Sequence, residues 1–165
     1  FNSAAKSVIY DDKWGQRRLD GEGHAPAFPF GFGLGYTTIT HQLLDHRFDD
    51  TGGSADVLVT NTGDREGSTV VQVYAADVSI RRPVAQLLGF QKVTLQPGAE
   101  KTVQVTLDAG PTLQRDPATR RWSPRAGDWA LLAAQHSPGS WADAGPLRRA
   151  EGPIDEDGSS DGRSA

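Results

Sequence analysis

The stretch "ADVLVTNTGDREGSTVVQVYAAD" (Ala55–Asp77) holds two alternating apolar runs around a cluster of turn formers. Successive side chains of an extended chain point to opposite faces, so Val57 and Val59 share one side of a strand. That run ends at Asn61-Thr62-Gly63-Asp64. Asn and Asp side chains bond to nearby backbone there, and glycine supplies the conformations that tight turns need. Beyond the turn Val71, Val73 and Ala75 fall on one face, with Val70, Gln72 and Tyr74 on the other. Strand, turn, strand, built on β-branched residues, is the grammar of an all-β fold.

The same grammar extends in both directions. Upstream, "TTITHQLLDHRF" (Thr37–Phe48) forms a first strand, followed by the turn-rich "DDTGGSA". Downstream, "AQLLGFQKVTL" (Ala85–Leu95) carries a further apolar cluster, and Pro97-Gly98 marks a turn. "EKTVQVTLD" then places Val103, Val105 and Leu107 inward against Thr102, Gln104 and Thr106. A long polar insert, Ala109–Gly127, crosses to the last strand, "GDWALLAAQH" (Gly127–His136). Strands at this spacing, joined by Gly, Pro, Asn and Asp turns, predict a Greek-key β-sandwich of about 100 residues.

Composition limits what the sandwich can do. Of 21 acidic and 17 basic side chains, five acids and Arg163 alone lie in residues 151–165, so the rest of the chain is electrically balanced. A balanced body offers no clustered cations for nucleic acid or an anionic membrane, and neither is an expected partner. The acidic end has Ile154 as its one large apolar residue and is expected to be disordered. With no cysteine there is neither a disulfide nor cysteine-ligated zinc, and compartment cannot be read from redox chemistry. No run is long enough to span a bilayer as a helix. A chain that opens on Phe1 and contains no methionine is expected to be a piece of something larger.

Ahead of the sandwich, "PAFPFGFGLGYTTI" (Pro26–Ile39) alternates glycine with bulky residues. In an extended segment Phe30, Phe32, Leu34 and Tyr36 would share a face, while Gly31, Gly33 and Gly35 would bare the other. A bare face admits another backbone or a ring at close range. Phe28, Phe30, Phe32, Leu34 and Tyr36 are therefore expected to pack between two folded bodies.

The ordered set Phe28-Pro29-Phe30-Gly31, Gly33-Leu34, Tyr36-Thr37, Asn61-Thr62-Gly63-Asp64, Arg82-Pro83, Leu87, Gly89-Phe90, Leu95 and Pro97-Gly98 resembles the C-terminal end of glycoside hydrolase family 3 β-glucosidases. Gly35, Gln86 and Gln16 depart from that pattern, at positions where Ser, an acid and an aromatic residue are usual. The resemblance implies a fibronectin type III-like (immunoglobulin-like) sandwich over residues 37–148. Residues 1–36 would be the remnant of a preceding α/β sandwich domain and an extended linker, and residues 149–165 a disordered acidic tail. It also implies that the partners are the absent catalytic barrel and α/β sandwich domains of the same parent, carbohydrate being a further candidate.

Retaining glycosidases need two carboxyl groups about 5–5.5 Å apart across the glycosidic bond. In that family the nucleophile lies on an N-terminal barrel, and the acid/base usually on the domain after it. The acids here, Asp11-Asp12, Asp49-Asp50 and Asp155-Glu156-Asp157, sit in turns or the tail. The four histidines form no HExxH pattern, and His41 and His46, five apart, have the wrong spacing for one strand face. No GxSxG elbow is present, and "GFGLG" lacks the strand–turn–helix setting of a phosphate loop. No catalytic residue, cofactor-binding residue or metal ligand is assigned. Trp129 reads as core; Trp122 and Trp141 flank turns and are weak candidates for sugar contact. The expected role is an accessory, stabilising domain of a hydrolase acting on O-glycosidic bonds, the chain itself being non-catalytic. The alternative is a free-standing carbohydrate-binding or adhesion module.

Overall fold

The structure is a computed structural model that describes Gly15, Arg18, Leu19, residues 22–81 and residues 83–150. Trp14, Arg82 and the acidic end 151–165 lie outside the described residues. Nine strands are found among those described: β1 (Ile39–Asp49), β2 (Gly52–Asn61), β3 (Gly67–Asp77), β4 (Gln86–Leu95), β5 (Glu100–Leu107), β6 (Leu113–Arg115), β7 (Trp122–Pro124), β8 (Trp129–Ala134) and β9 (Gly145–Pro146). One sheet runs β1-β2-β5 and the other β4-β3-β8-β9, with β6 and β7 as a separate hairpin. Every pairing is antiparallel. The chain changes sheets between β2 and β3, between β4 and β5, and between β5 and β8, as a Greek-key sandwich requires.

The alternation read in the sequence is the alternation that is buried. Ala55, Val57 and Val59 of β2 face Val71, Val73 and Ala75 of β3 with no measurable exposure, and Val103, Val105 and Leu107 of β5 complete the layer. A valine buried to this extent contributes roughly 1.5–3 kcal/mol. Leu131 and Ala133 of β8 fill the same interior. The insert expected to cross between strands does so through a turn of 3-10 helix at Gly110–Thr112 and the β6–β7 hairpin.

Two local devices hold the ends of the sandwich together. Asn61, fully buried, closes β2: its Nδ2 donates to the carbonyls of Arg65 (2.7 Å) and Leu95 (3.1 Å). Its Oδ1 accepts from the Thr37 hydroxyl (2.7 Å) and the Gly63 amide (3.1 Å). One side chain thus ties the incoming segment to both nearby sheet crossings. At the other device the β3–β4 register shifts between Val73 and Tyr74, placing an extra residue, Leu88, in β4. The bulge turns β4 toward the opposite sheet, where the Asp108 amide donates to the Leu88 carbonyl (2.8 Å). Gly89 follows, and a Cβ there would overlap the Thr106 carbonyl oxygen of β5. This close approach explains the glycine.

The strand β1 corrects one sequence expectation. Its register to β2 shifts between Leu43 and Asp45, so that Leu44 is the extra residue of a bulge. His41 pairs with Val59, Leu43 with Val57 and His46 with Ala55, all inward-facing positions. One inserted residue converts an odd separation into an even one. His41 and His46 therefore lie on the same face.

Candidate interdomain surface

The apolar segment ahead of β1 begins with a turn rather than a uniform ribbon. The Phe32 amide donates to the Pro29 carbonyl (3.0 Å), and Gly31 takes a φ of +80°, in the left-handed region that favours glycine. A Cβ at Gly31 would also collide with the Gln72 carboxamide. The expected alternation from Phe30 to Tyr36 is thus broken at Gly31, while a Cβ at Gly33 would meet open space and one at Gly35 only ordinary contact with the Thr37 carbonyl oxygen at 3.5 Å.

Gln72 and Tyr74 lie on the outward face of β3 yet are buried, and the turn explains why. Gln72 Nε2 donates to the carbonyls of Gly31 (3.2 Å) and Gln135 (2.5 Å), and Tyr74 Oη donates to Gln72 Oε1 (2.6 Å). Burial pushes the Tyr74 phenol up to about 12. The Ser137 amide donates to the Phe30 carbonyl (2.7 Å), and Gln135 Nε2 donates to the Ile39 carbonyl. The backbone of the segment is therefore fixed to the sandwich.

Its side chains are not covered. Phe28 is 71% exposed, Phe30 55%, Leu34 92% and Tyr36 93%, with Phe32 at 41%. The Phe28 and Phe32 rings meet at a tilt of 45° with 5.4 Å between centroids, and Phe32 lies 5.9 Å from the His136 ring. Between the glycines and the outer face of β3 runs a groove of about 520 Å³ lined by Leu34, Tyr36, Val70, Gln72 and Lys92. Large apolar side chains thus stand exposed in a row on a fixed backbone, a patch of the kind that marks interaction sites.

The other sequence candidates are scattered. Trp141 lines a groove of about 430 Å³ with Pro26, Pro29, Arg81 and His136. Trp122 does not line it and stands exposed on β7, so the two indoles form no common platform. Trp129 packs against the core and donates through Nε1 to the Arg125 carbonyl (3.2 Å). Asp49 bonds to the amide and hydroxyl of Thr51 (2.7 and 2.6 Å), which with the other bonds of this turn holds its carboxyl below the usual range. It is a turn residue. Among the described residues no group of three or more His, Cys, Asp or Glu side chains could hold a metal ion, and no helix is long and apolar enough to cross a membrane.

Sequence reasoning missed the end of the fold. Leu147 packs against the core and its amide donates to the Trp129 carbonyl (2.8 Å). The Arg148 amide donates to His46 Nε2 (3.0 Å), and the Ala150 amide to the Phe48 carbonyl (2.8 Å). Arg149 donates to Asp50 Oδ1 and Thr112 Oγ1 (2.6 Å each) and lies 5.1 Å from the centre of the Phe48 ring. Arg149 and Ala150, assigned to the tail by sequence, are held by the body of the domain. Segment Gly145–Ala150 straps one sheet to the other.

These features define the class. Residues 69–137 match the family described as fibronectin type III-like domain, and the sandwich is a domain of that kind. Its relatives include β-glucosidases. The chain is 48% identical over 103 residues to the periplasmic beta-glucosidase of Salmonella typhimurium, covering 59% of this chain and 13% of that protein. It is 36% identical over 129 residues to thermostable beta-glucosidase B of Acetivibrio thermocellus, covering 74% of this chain and 17% of that one. Among solved structures, DesR, a beta-glucosidase from Streptomyces venezuelae crystallised with D-glucose, superposes with a TM-score of 0.64 at 34% identity. That match covers 79% of this chain and 17% of DesR. The chain thus spans less than a fifth of each of these three proteins.

Proposed function

We propose that this chain is the accessory, stabilising domain of a family 3 β-glucosidase, and that the Phe28–Tyr36 segment is its seat against the rest of the parent. The single observation that carries the reading is the open row Phe28, Phe30, Phe32, Leu34 and Tyr36 on a backbone pinned by Gln72 and Ser137, with the next side chain, Thr37, held by Asn61. Such a row costs solubility in a free module and is offset once a partner covers it. The partner is the catalytic part of the same parent, its barrel and α/β sandwich domains, which supplies both carboxyl groups of the reaction. The role of this domain is to brace that body. Consistent with this, the acids at Asp49 and Asp50 are committed to a turn and to Arg149.

The test has two arms. Highly purified chain is expected to release no product from an aryl β-glucoside, and measurable turnover would overturn the assignment. In the full-length parent, Phe30→Ser with Phe32→Ser is expected to lower the thermal midpoint of the catalytic body while leaving KM near its starting value. A parent whose catalytic midpoint ignores the double substitution would show that the row seats nothing.

A further inference from the structure

The strap Gly145–Ala150 is closed on β1 by groups that work only in one protonation state. His46 Nε2 accepts the Arg148 amide proton at 3.0 Å, so that nitrogen must carry no proton of its own. Placing N–H against N–H would break this contact. His41, brought to the same face by the bulge at Leu44, has both ring nitrogens buried with no well-formed hydrogen bond, the Ala134 backbone being at most a marginal partner. The two rings line one groove of about 450 Å³ with Leu132, Asp143, Pro146 and Arg148, between β1 and the strap. A cation formed at either ring would lie in a partly apolar seam.

We propose that the Gly145–Ala150 strap is an acid-sensitive latch, closed on β1 while His41 and His46 are neutral and released when they take up protons. The groups facing the pair act in both directions. From β1, Asp45 favours a charged His46; from the strap, Arg148 disfavours it; Asp143 comes from the β8–β9 connection. Burial is the largest influence on both rings and lowers their affinity for protons below the ordinary value of 6.5, against a weaker pull from the Ala134 backbone on His41. The sign follows from linkage. The unfolded chain binds these protons more readily, so the contribution of the neutral rings is complete above the unfolded value and is lost as pH falls through the folded one. The other strap contacts, Leu147 on Trp129 and Arg149 on Asp50, define what is given up when the latch opens. The inference concerns this domain alone and stands whether or not the parent is a hydrolase.

The test uses the full chain and amide-exchange protection factors, which already correct for the pH dependence of intrinsic exchange. Between about pH 7.5 and about pH 5, where histidine changes charge, Leu147, Arg148 and Ala150 are expected to lose protection by about tenfold more than Val57 and Val73, tenfold being one unit of proton linkage. The midpoint should follow the His41 and His46 ring signals in the same NMR titration. In a His41→Gln, His46→Gln variant the excess loss should vanish, because neither amide titrates. Equal loss in strap and core, a midpoint in the carboxylate range, or an undiminished excess in the variant would each overturn the latch.

Discussion

Replacing Asn61 with alanine removes the four hydrogen bonds through which one side chain joins Thr37, Gly63, Arg65 and Leu95. A typical internal hydrogen bond contributes a net ~1 kcal/mol, and a buried group left without a partner costs about 1–3 kcal/mol. The Thr37, Gly63 and Arg65 groups are partly exposed and can turn to water, which offsets part of their loss. The Leu95 carbonyl is buried and cannot. The expected loss is about 3 kcal/mol, read as a fall in the urea midpoint of about 1.5 M at a slope near 2 kcal/mol/M. Asn61→Asp should cost at least as much, since it keeps the shape but aims an oxygen at two carbonyls. Thr37→Val should cost about 1 kcal/mol, and the double variant with Asn61→Ala should show that the two losses are not additive. A loss below about 1 kcal/mol for Asn61→Ala, with the slope unchanged, would refute the view that this residue ties the sheet crossings.

Two further predictions are direct. Gly89→Ala should destabilise the chain by roughly 1–3 kcal/mol, because the new methyl overlaps the Thr106 carbonyl oxygen and lies 3.2 Å from Val105 Cγ1; an unchanged denaturation midpoint would show that β4 is free to retreat from β5. Phe30→Ser with Phe32→Ser in the isolated chain should reduce binding of a hydrophobic dye and raise solubility without changing the unfolding free energy by more than about 0.5 kcal/mol, as exposed positions allow. Unaltered dye binding would mean that the sticky surface lies elsewhere.

The strands of the core were legible because period-two burial leaves its imprint in Val57, Val59, Val71, Val73, Val103 and Val105. The turns at Asn61–Asp64 and Pro97-Gly98 were legible because few residue types suit them. The bulge in β1 was not. Leu43 and Leu44 give no sign of which is extra, so the spacing of His41 and His46 pointed to opposite faces when they share one. The Pro29–Phe32 turn was hidden for a related reason, since alternating Phe and Gly imitates a strand and only the left-handed φ of Gly31 betrays the break. The strap escaped notice because Leu147 is its one large apolar residue and its hold comes from backbone amides and Arg149, contacts that span about 100 residues. In the segment ahead of β1 the large apolar residues were legible in the sequence, while the burial of Gln72 and Tyr74 beneath the turn required the three-dimensional fold.

The strap has a consequence for how the domain is made. Residues leave a ribosome in order, and β1 through β8 emerge before Leu147, Arg148 and Ala150 can reach Trp129, His46 and Phe48. During synthesis the His46–Phe48 end of the seam between β1 and β8 therefore stays unsealed until the chain has been extended to Ala150. The finished wall of the domain is a late event in its biogenesis, and any cut or fusion placed ahead of that residue would leave a nascent sandwich gaping along one side.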